Sequence, residues 1–271
     1  MKSSGMKSSG MRTVVLTGAT SGVGSGCLQV LRRSGWRVVA LVRGEAPEGV
    51  EAIECDLASL RSVRRAAAEV LDTCPRIDVL LGCAGVVPWK RRESVDGFEL
   101  TWATNVLGHA LLTELLLERL EESAPARVVM ISGHAHRRGS MHWDDLQLRN
   151  GYSALKAGTQ AALAKILWTY AMADELAETP VTINTFCPAF VRGRLTRDFP
   201  RWMQPIAKLG NVFAQSPEEG ARTPVWLATA PELQTVSGKY FRHQAMQRSS
   251  PESLNREAQQ RLLTEIRAAL R

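Results

Sequence analysis

The chain has 271 residues, 45% of them hydrophobic, and its formal net charge is +7 at pH 7. This length and composition fit one α/β domain with a large core, and no apolar run of about 18 residues predicts a transmembrane helix. The basic residues are dispersed, which argues against a nucleic-acid partner and leaves a solvated surface with a bias toward anionic ligands.

The chain opens with the duplicated unit MKSSGMKSSG at residues 1–10, which lacks the apolar centre of a signal peptide. We interpret residues 1–10 as a disordered leader or tag, and residues 11–271 as a single domain. The five cysteines are scattered without CxxC or metal-type spacing, namely Cys27, Cys55, Cys74, Cys83 and Cys187. The sequence therefore predicts no metal site, and the unpaired set fits a reducing, cytoplasmic location.

Short β-branched segments alternate with helical segments along the domain. The predicted strands are 12–16, 37–42, 50–54, 77–82, 127–132, 181–186 and 238–241. The predicted helices are 25–34, 59–72, 98–120, 153–176 and 217–228, followed by a polar loop and a terminal amphipathic helix within 249–271. Because parallel strands need a helix to return the chain, this pattern predicts an α/β single-domain Rossmann fold, with a doubly wound parallel sheet of about seven strands.

A glycine-rich segment, TGATSGVG at residues 17–24, joins the first predicted strand to the first predicted helix. In such a turn Gly18 permits a tight bend, Gly22 lets the backbone approach a pyrophosphate, and Gly24 allows close packing of helix on strand. The helix N-terminus adds free N–H groups that bind phosphate, and a purely structural turn is the alternative. The predicted cofactor contacts here are Gly18, Thr20, Ser21, Gly22, Val23 and Gly24.

Arg43 directly follows the second predicted strand. NAD-binding domains of this type place an acidic residue there, which holds the ribose 2′-hydroxyl. A guanidinium instead suits a 2′-phosphate, because it forms paired charge-assisted hydrogen bonds. The sequence therefore favours NADP(H) over NAD(H), with an ordinary surface arginine as the alternative.

Further motifs follow the glycine-rich turn along the chain. They are Cys55-Asp56-Leu57, Cys83-Ala84-Gly85-Val86, Thr104-Asn105, and Thr182-Ile183-Asn184 running into Pro188. With these motifs, the sequence from residue 12 onward resembles the short-chain dehydrogenase/reductase family. The segments HRRG at 136–139, DDLQL at 144–148 and GYSALKA at 151–157 are similar to its retinol-dehydrogenase-like branch.

The resemblance implies a role for several of these residues. The implied cofactor contacts are Asp56 and Leu57 at the adenine, Ala84 and Gly85 at the adenine ribose, and Pro188 at the start of the loop over the nicotinamide. Asn105 would lie in the middle of the long helix and hold a water molecule of the family's proton relay.

The family's reaction uses a tyrosine general acid, a lysine four residues later, and a serine that orients the substrate carbonyl. Tyr152 and Lys156 have this spacing, but we interpret the pair as a coincidence. In the family the lysine precedes the asparagine of the sixth strand by about 22 residues, and counting back from Asn184 reaches Ala162. The tyrosine position then falls on Gly158, and Tyr152 becomes a pocket-rim or packing residue.

The serine position leads to the same interpretation. The resemblance puts the serine at Gly133, directly after Ser132, and the threonine that would hold the nicotinamide carboxamide at Gly193. Glycine or alanine thus stands at four functional positions, 133, 158, 162 and 193. The sequence therefore predicts a degenerate Ser-Tyr-Lys set and a roomier cavity beside the nicotinamide.

Several other side chains are candidates for chemistry at this cavity. The catalytic candidates are Asn105, His134 and Tyr152, and histidine is the residue type that titrates near neutral pH. Other polar side chains predicted nearby are His136, Asp144, Lys165, Arg192 and Arg194. A substrate lid is expected at about 190–215, and its apolar residues predict a hydrophobic small molecule. The predicted substrate contacts are Trp89, Phe199, Trp202 and Met203, with ordinary helix packing as the alternative.

Three functions remain open from the sequence. The first is a non-redox step, such as an isomerisation, cyclisation or dehydration in specialised metabolism, with NADP(H) as a structural ligand. The second is an atypical NADPH-dependent carbonyl or alkene reductase, and the third is a non-catalytic NADP(H)-sensing protein. The resemblance also implies a homodimer or homotetramer, and we expect a cytoplasmic chain without a membrane or nucleic-acid partner.

Overall fold

The computed structural model describes residues 10–193, Pro200 and 214–271. The strands are β1 (Thr13–Thr17), β2 (Arg37–Val42), β3 (Glu51–Glu54), β4 (Val79–Gly82), β5 (Ala126–Ile131), β6 (Val181–Cys187), β7 (Tyr240–Arg242) and β8 (Ala245–Gln247). They form one eight-stranded sheet in the order β3-β2-β1-β4-β5-β6-β7-β8. The first seven strands pair in parallel, and β8 pairs antiparallel with β7.

The helices of the described residues cover both faces of this sheet. They are α1 (Gly22–Arg33), α2 (Leu60–Thr73), α3 (Leu100–Trp102), α4 (Gly108–Glu122), α5 (Ala154–Glu175), α6 (Pro217–Thr229) and α7 (Arg256–Leu270). A π-helical turn over Ala103–Leu107 joins α3 to α4. This arrangement confirms the predicted Rossmann architecture. None of these helices is long and apolar enough to cross a membrane.

Strand β1 shows how the sequence builds a core on each side of the sheet. All five of its residues are buried. Val15 faces the apolar cluster formed with α2, α4, α5 and α7. Val14 and Leu16 face the opposite cluster, formed with α1 and α6. Because side chains alternate along a strand, a continuous apolar run can supply both layers, as expected for a parallel sheet covered on both faces.

The order of the strands places the crevice of the sheet between β1 and β4. The chain moves outward from β1 to β2 and β3, and then returns to β4 on the other side of β1. In open α/β sheets, ligands bind at such a reversal, outside the carboxyl ends of the strands. The residues after Thr17 and Gly82 therefore lie at the expected site.

Helix α7 is the amphipathic terminal helix that the sequence predicts. Leu262, Leu263 and Ile266 are almost fully buried on the α5 side of the molecule. On the same helix, Arg267 makes a bidentate ion pair with Glu175 of α5 and a further hydrogen bond to Glu114 of α4. The C-terminal helix thus joins α4 and α5 from outside.

Three features of the fold differ from the sequence prediction. Helix α1 begins at Gly22 rather than at residue 25, and the predicted helix 98–120 contains the π-helical turn. Strand β8 was not predicted, because its hairpin uses His243 and Gln244 at positive φ instead of a glycine-containing turn. The proposed leader, up to residue 9, and most of the proposed lid lie outside the described residues.

Candidate functional site

The glycine-rich turn after β1 is packed too tightly for side chains at two positions. Gly18 has φ +77°, and a Cβ on it would lie 2.7 Å from the backbone nitrogen of Ala84. A Cβ on Gly24 would collide with the carbonyl oxygen of Gly18. Glycine is therefore required here for backbone conformation and for the close approach of α1 to the turn.

The N-terminus of α1 is open to a ligand. Ser21 is the N-cap residue, but its side chain makes no capping hydrogen bond. The other helices that begin after a loop do have side-chain caps, from Ser59 (α2), Glu99 (α3), Ser153 (α5), Ser216 (α6) and Asn255 (α7). Free N–H groups at a helix N-terminus bind phosphate, so this end of α1 fits a dinucleotide pyrophosphate.

A buried histidine that the sequence analysis missed ties this turn to β4. His109 Nδ1 lies 3.1 Å from the Thr104 carbonyl oxygen, which only accepts, so Nδ1 carries the proton. Its Nε2 then accepts from the Thr17 hydroxyl at 3.0 Å. The same hydroxyl oxygen accepts from the backbone nitrogens of Cys83 and Ala84, each at 3.1 Å. Burial, followed by the charge of Lys165, lowers the pKa of His109 well below its usual value.

Gly82 makes room for this histidine. A Cβ on Gly82 would lie 2.9 Å from Cδ2 of His109 and would collide with Met130 Sδ. The turn after β4 is therefore held by Thr17 and His109.

Asn105 lies in the π-helical turn and pairs with the loop after β4. Its Oδ1 accepts from the Val86 backbone nitrogen at 2.9 Å, and its Nδ2 donates to the Val86 carbonyl at 3.0 Å. A Cβ on Gly85 would lie 3.4 Å from the same Oδ1. The amide of Asn105 therefore clamps the loop, and its predicted water contact stays a prediction.

The residues predicted for the adenosine end lie at the carboxyl ends of β2 and β3. Arg43 is exposed, and it makes no hydrogen bond or ion pair with any residue that the structure describes. Asp56 accepts from the Ala58 backbone nitrogen at 3.0 Å, and Leu57 is buried. A guanidinium without a partner among the described residues, at the same sheet edge as the glycine-rich turn, fits an anionic ligand.

The three positions that the resemblance assigns to the catalytic side chains are neighbours, and we call the surface that they form the cleft wall. A Cβ on Gly133, after β5, would lie 4.0 Å from Ala162 Cβ on α5. A Cβ on Gly158 would lie 3.5 Å from both methyl groups of Val87. Gly133, Gly158 and Ala162 are all partly exposed. At these positions the cleft has no hydroxyl, phenol or amine.

Tyr152 and Lys156 contact different parts of the chain. Ser153 is the N-cap of α5, so Tyr152 precedes the helix and does not share a helical face with Lys156. The Tyr152 hydroxyl donates to the Pro88 carbonyl at 2.7 Å, whereas Lys156 Nζ donates to the Gly151 carbonyl at 3.0 Å. Burial, then the charge of Glu99, raises the pKa of Tyr152 above its usual value.

The two histidines after β5 differ in their surroundings. His134 is exposed, and slight burial followed by the charge of Arg242 lowers its pKa. His136 is fully buried, with Nδ1 2.7 Å from the Gly133 carbonyl and Nε2 accepting from the Ser250 backbone nitrogen at 3.1 Å. His136 therefore supports the loop structure, while the ring of His134 is free to meet a ligand.

The segment after β6 passes over the glycine-rich turn that follows β1. A Cβ on Gly193 would lie 3.5 Å from the Cα of Gly22. Pro188 starts this segment, and Arg192 donates through Nε to the Ala214 carbonyl at 3.2 Å. Trp89 is half-buried. The predicted residues Arg194, Phe199, Trp202 and Met203 lie outside the part of the chain that the structure describes.

Comparisons with known sequences show the family of the chain. A sequence model of the family described as short chain dehydrogenase matches residues 12–204. Retinol dehydrogenase 14 of Homo sapiens is 38% identical over 260 residues, which cover 85% of this chain and 77% of that protein. Retinol dehydrogenase 13 of Homo sapiens is 35% identical over 274 residues, which cover 94% of this chain and 83% of that protein.

Solved structures share the fold. An uncharacterized protein from Mycobacterium paratuberculosis matches with a TM-score of 0.77 at 28% identity, covering 96% of this chain and 93% of that one. The Pseudomonas aeruginosa RhlG/NADP complex matches with a TM-score of 0.65 at 26% identity, covering 85% of this chain and 93% of that one. Together with the family match over residues 12–204, these similarities identify the chain as a member of the short-chain dehydrogenase/reductase family, in its retinol-dehydrogenase-like branch.

Proposed function

We propose that the chain binds NADP(H) at the turn after β1, with Arg43 on the 2′-phosphate. The uncapped N-terminus of α1 and the exposed, unpartnered guanidinium support this choice. The relative RhlG was solved with NADP, which points the same way. When bound, NADP(H) supplies a nicotinamide ring that can exchange a hydride, and this chain's own residues hold the ring beside the cleft.

We further propose that the site performs a non-redox step on a hydrophobic small molecule. The observation that carries this proposal is the cleft wall of Gly133, Gly158 and Ala162 beside a retained phosphate turn. Hydride exchange at a carbonyl needs a matching proton donor, and a positioned acid or base contributes about 100-fold to 10,000-fold to the rate. A site that lacks the tyrosine phenol and the lysine ammonium can still bind the cofactor, but it loses this contribution to the rate of hydride exchange.

An atypical NADPH-dependent carbonyl or alkene reductase is the second candidate. The names of the relatives favour it, because retinol dehydrogenases at 35% to 38% identity act on an apolar alcohol by name. In this case the proton would come from a residue other than the family's tyrosine. An apolar substrate is common to both candidates.

The test is to rebuild the missing side chains in the triple variant Gly133→Ser, Gly158→Tyr, Ala162→Lys. A Cβ at 133 or 158 meets neighbouring atoms no closer than 3.5 Å, so these positions have room for the start of a side chain. With NADPH and retinal as probes, we expect the triple variant to consume NADPH about 100-fold faster than the parent. The readout is NADPH absorbance with product quantified by chromatography.

The control for this test is Tyr152→Phe, Lys156→Met in the parent background, which should leave NADP+ binding unchanged in calorimetry. A parent that oxidises NADPH in equal amount to product excludes the non-redox step and selects the reductase. Loss of that reaction in the control would restore Tyr152 and Lys156 as the catalytic pair. Failure of the parent to bind NADP+ at all would refute the proposed function.

A further inference from the structure

Lys165 lies on the same face of α5 as Gly158 and Ala162. It follows Gly158 by seven residues and Ala162 by three, and on an α-helix residues at these spacings lie one above the other. Helical side chains lean toward the N-terminus of their helix, and three residues correspond to a rise of about 4.5 Å. A lysine side chain at 165 therefore runs back along α5 toward the level of Ala162.

The environment of this lysine is apolar and without a counter-ion. Lys165 is 4% exposed, and no carboxylate of the described residues pairs with it. The pKa of Lys165 responds to Cys83, just after β4, and the charge of Lys165 in turn acts on His109 of α4. Burial lowers the pKa of the Lys165 amine to about 7. An amine in this state changes its charge near neutral pH.

The amine of Lys165 also has no hydrogen-bond partner that would fix it in place. It donates no hydrogen bond to any described residue, and its nitrogen is not fully enclosed by protein atoms. It therefore keeps a narrow opening, and the neighbouring face of α5 that is partly exposed is the one at Gly158 and Ala162.

His109, His136 and Tyr152 are already engaged in hydrogen bonds, and His134 is exposed. Both ring nitrogens of His109 are hydrogen-bonded, and so are both ring nitrogens of His136. The Tyr152 hydroxyl is committed to the Pro88 carbonyl. Among the buried groups named here, Lys165 alone has free donors and a charge that changes near neutral pH.

We propose that Lys165 is the proton-transferring residue of this site, acting on the carbonyl or hydroxyl group of an otherwise apolar substrate in the space beside Gly158 and Ala162. As an acid, its N–H bond breaks and the proton forms an O–H bond on the substrate, leaving a neutral amine that regains a proton from water. As a base, the same amine takes a proton from carbon or oxygen and releases it to water. The inference rests on the proposed function, since it places the substrate in the same cleft.

The first test measures the amine without any turnover. Benzaldehyde condenses with a neutral amine with loss of water, and cyanoborohydride reduces the imine to a stable benzylamine. At pH about 7, a lysine with a pKa near 7 is about half neutral, whereas an ordinary lysine is overwhelmingly charged. We expect mass spectrometry to show Lys165 labelled at least about 10-fold faster than Lys156, an exposed lysine of the same helix.

Two outcomes of the labelling would overturn the proposal. One is an unlabelled Lys165 beside labelled surface lysines, because the amine would then be charged or closed off. The other is labelling at Lys165 that saturating NADP+ leaves unchanged, because the amine would then open to a space other than the cofactor cleft. Calorimetry of NADP+ binding on the same sample shows separately whether the proposed function stands.

The second test follows proton transfer itself. In deuterium oxide with NADP+ bound, exchange at the carbon next to the carbonyl of β-tetralone is followed by NMR. We expect Lys165→Met to reduce exchange about 100-fold with unchanged NADP+ affinity, and Lys156→Met to retain the parent rate. Lys165→Gln provides a second variant should the methionine chain fold poorly. Equal exchange by parent and Lys165 variants, or none by the parent above buffer, would overturn the proton-transfer role.

Discussion

Arg43 is the residue on which the proposed preference for NADP(H) rests. A charge-assisted hydrogen bond contributes about 1.5–3 kcal/mol, which corresponds to roughly 10-fold to 100-fold in affinity. We expect Arg43→Ala to weaken NADP+ binding by about that factor and to change NAD+ binding by less than about 3-fold, measured by calorimetry. Arg256→Ala, at an exposed arginine paired with Asp174, is the control. Equal weakening for both cofactors would argue against a 2′-phosphate contact.

Gly18 and Gly35 allow two structural reasons for a glycine, backbone conformation and close packing, to be tested separately. Both have positive φ, but a Cβ on Gly18 would lie 2.7 Å from a backbone nitrogen, whereas nothing lies within 4 Å of a Cβ on Gly35. We expect Gly35→Ala to cost about 1–2 kcal/mol of stability through backbone strain, with normal NADP+ binding. Gly18→Ala should lower stability further and weaken NADP+ binding at least about 10-fold, because the β4 turn must shift. Equal effects would show that strain alone matters at Gly18.

Lys165 should make stability depend on pH in a defined direction. Its folded-state pKa of about 7 lies below the ordinary lysine value of about 10.4, so the unfolded chain binds more protons between these values. The free energy of unfolding should therefore rise with pH in this window, by about 2 kcal/mol between pH about 7 and about 9. Urea unfolding of the parent and Lys165→Met measures it, and the difference between the two proteins should shrink as pH rises. A constant difference would contradict the lowered pKa.

At the scale of elements, the carboxyl ends of β1 and β4 are joined through one hydroxyl. Thr17 links two backbone nitrogens of the β4 turn to the ring of His109 on α4. Thr17→Val keeps the shape of the side chain but leaves these buried groups without their partner. We expect a loss of about 2–3 kcal/mol and weaker NADP+ binding, measured by denaturation and calorimetry.

The matched control for Thr17 is Thr169→Val. Thr169 is also fully buried, but its hydroxyl bonds the carbonyl of Lys165 within its own helix. That carbonyl keeps its helical environment, so we expect a loss of less than about 1.5 kcal/mol. If the two variants lose equal stability, the hydrogen bonds that link β1, β4 and α4 contribute no more to stability than those of Thr169 do.

At the scale of the whole molecule, α7 is the element that encloses the α5 side of the core. Leu262 is 0% exposed, whereas Leu254, just before this helix, is 43% exposed. We expect Leu262→Ala to cost about 2–5 kcal/mol, because it leaves a cavity under α7. Leu254→Ala should change stability by less than about 0.5 kcal/mol. Thermal unfolding of both variants checks this, and similar losses would mean that α7 is loosely docked.

The position of α7 also bears on the expected homodimer or homotetramer. Arg267 of α7 bridges Glu114 of α4 and Glu175 of α5 on the outside of those helices. The oligomer stays a prediction, and α7 restricts the surface of α4 and α5 that a second copy can reach.

Much of the architecture could be predicted from the sequence, because it depends on local patterns of residues. Alternating apolar strands and helices predicted the doubly wound sheet, and the spacing of Gly18, Gly22 and Gly24 predicted the turn at its centre. These patterns reflect backbone geometry and burial, which depend on residues close in sequence. The hairpin to β8 and the π-helical turn escaped prediction, because neither has a distinctive local pattern in this sequence.

The sequence by itself therefore determined the fold class and the place of the glycine-rich turn, and the degenerate Ser-Tyr-Lys set stays a prediction. Only the tertiary structure decided the partners of the side chains around them. Thr17 and His109 are 92 residues apart, and the pKa of Lys165 depends on its burial and on Cys83 from another part of the chain. Hydrogen bonding and desolvation act between groups that folding brings together, so no pattern along the chain could report them.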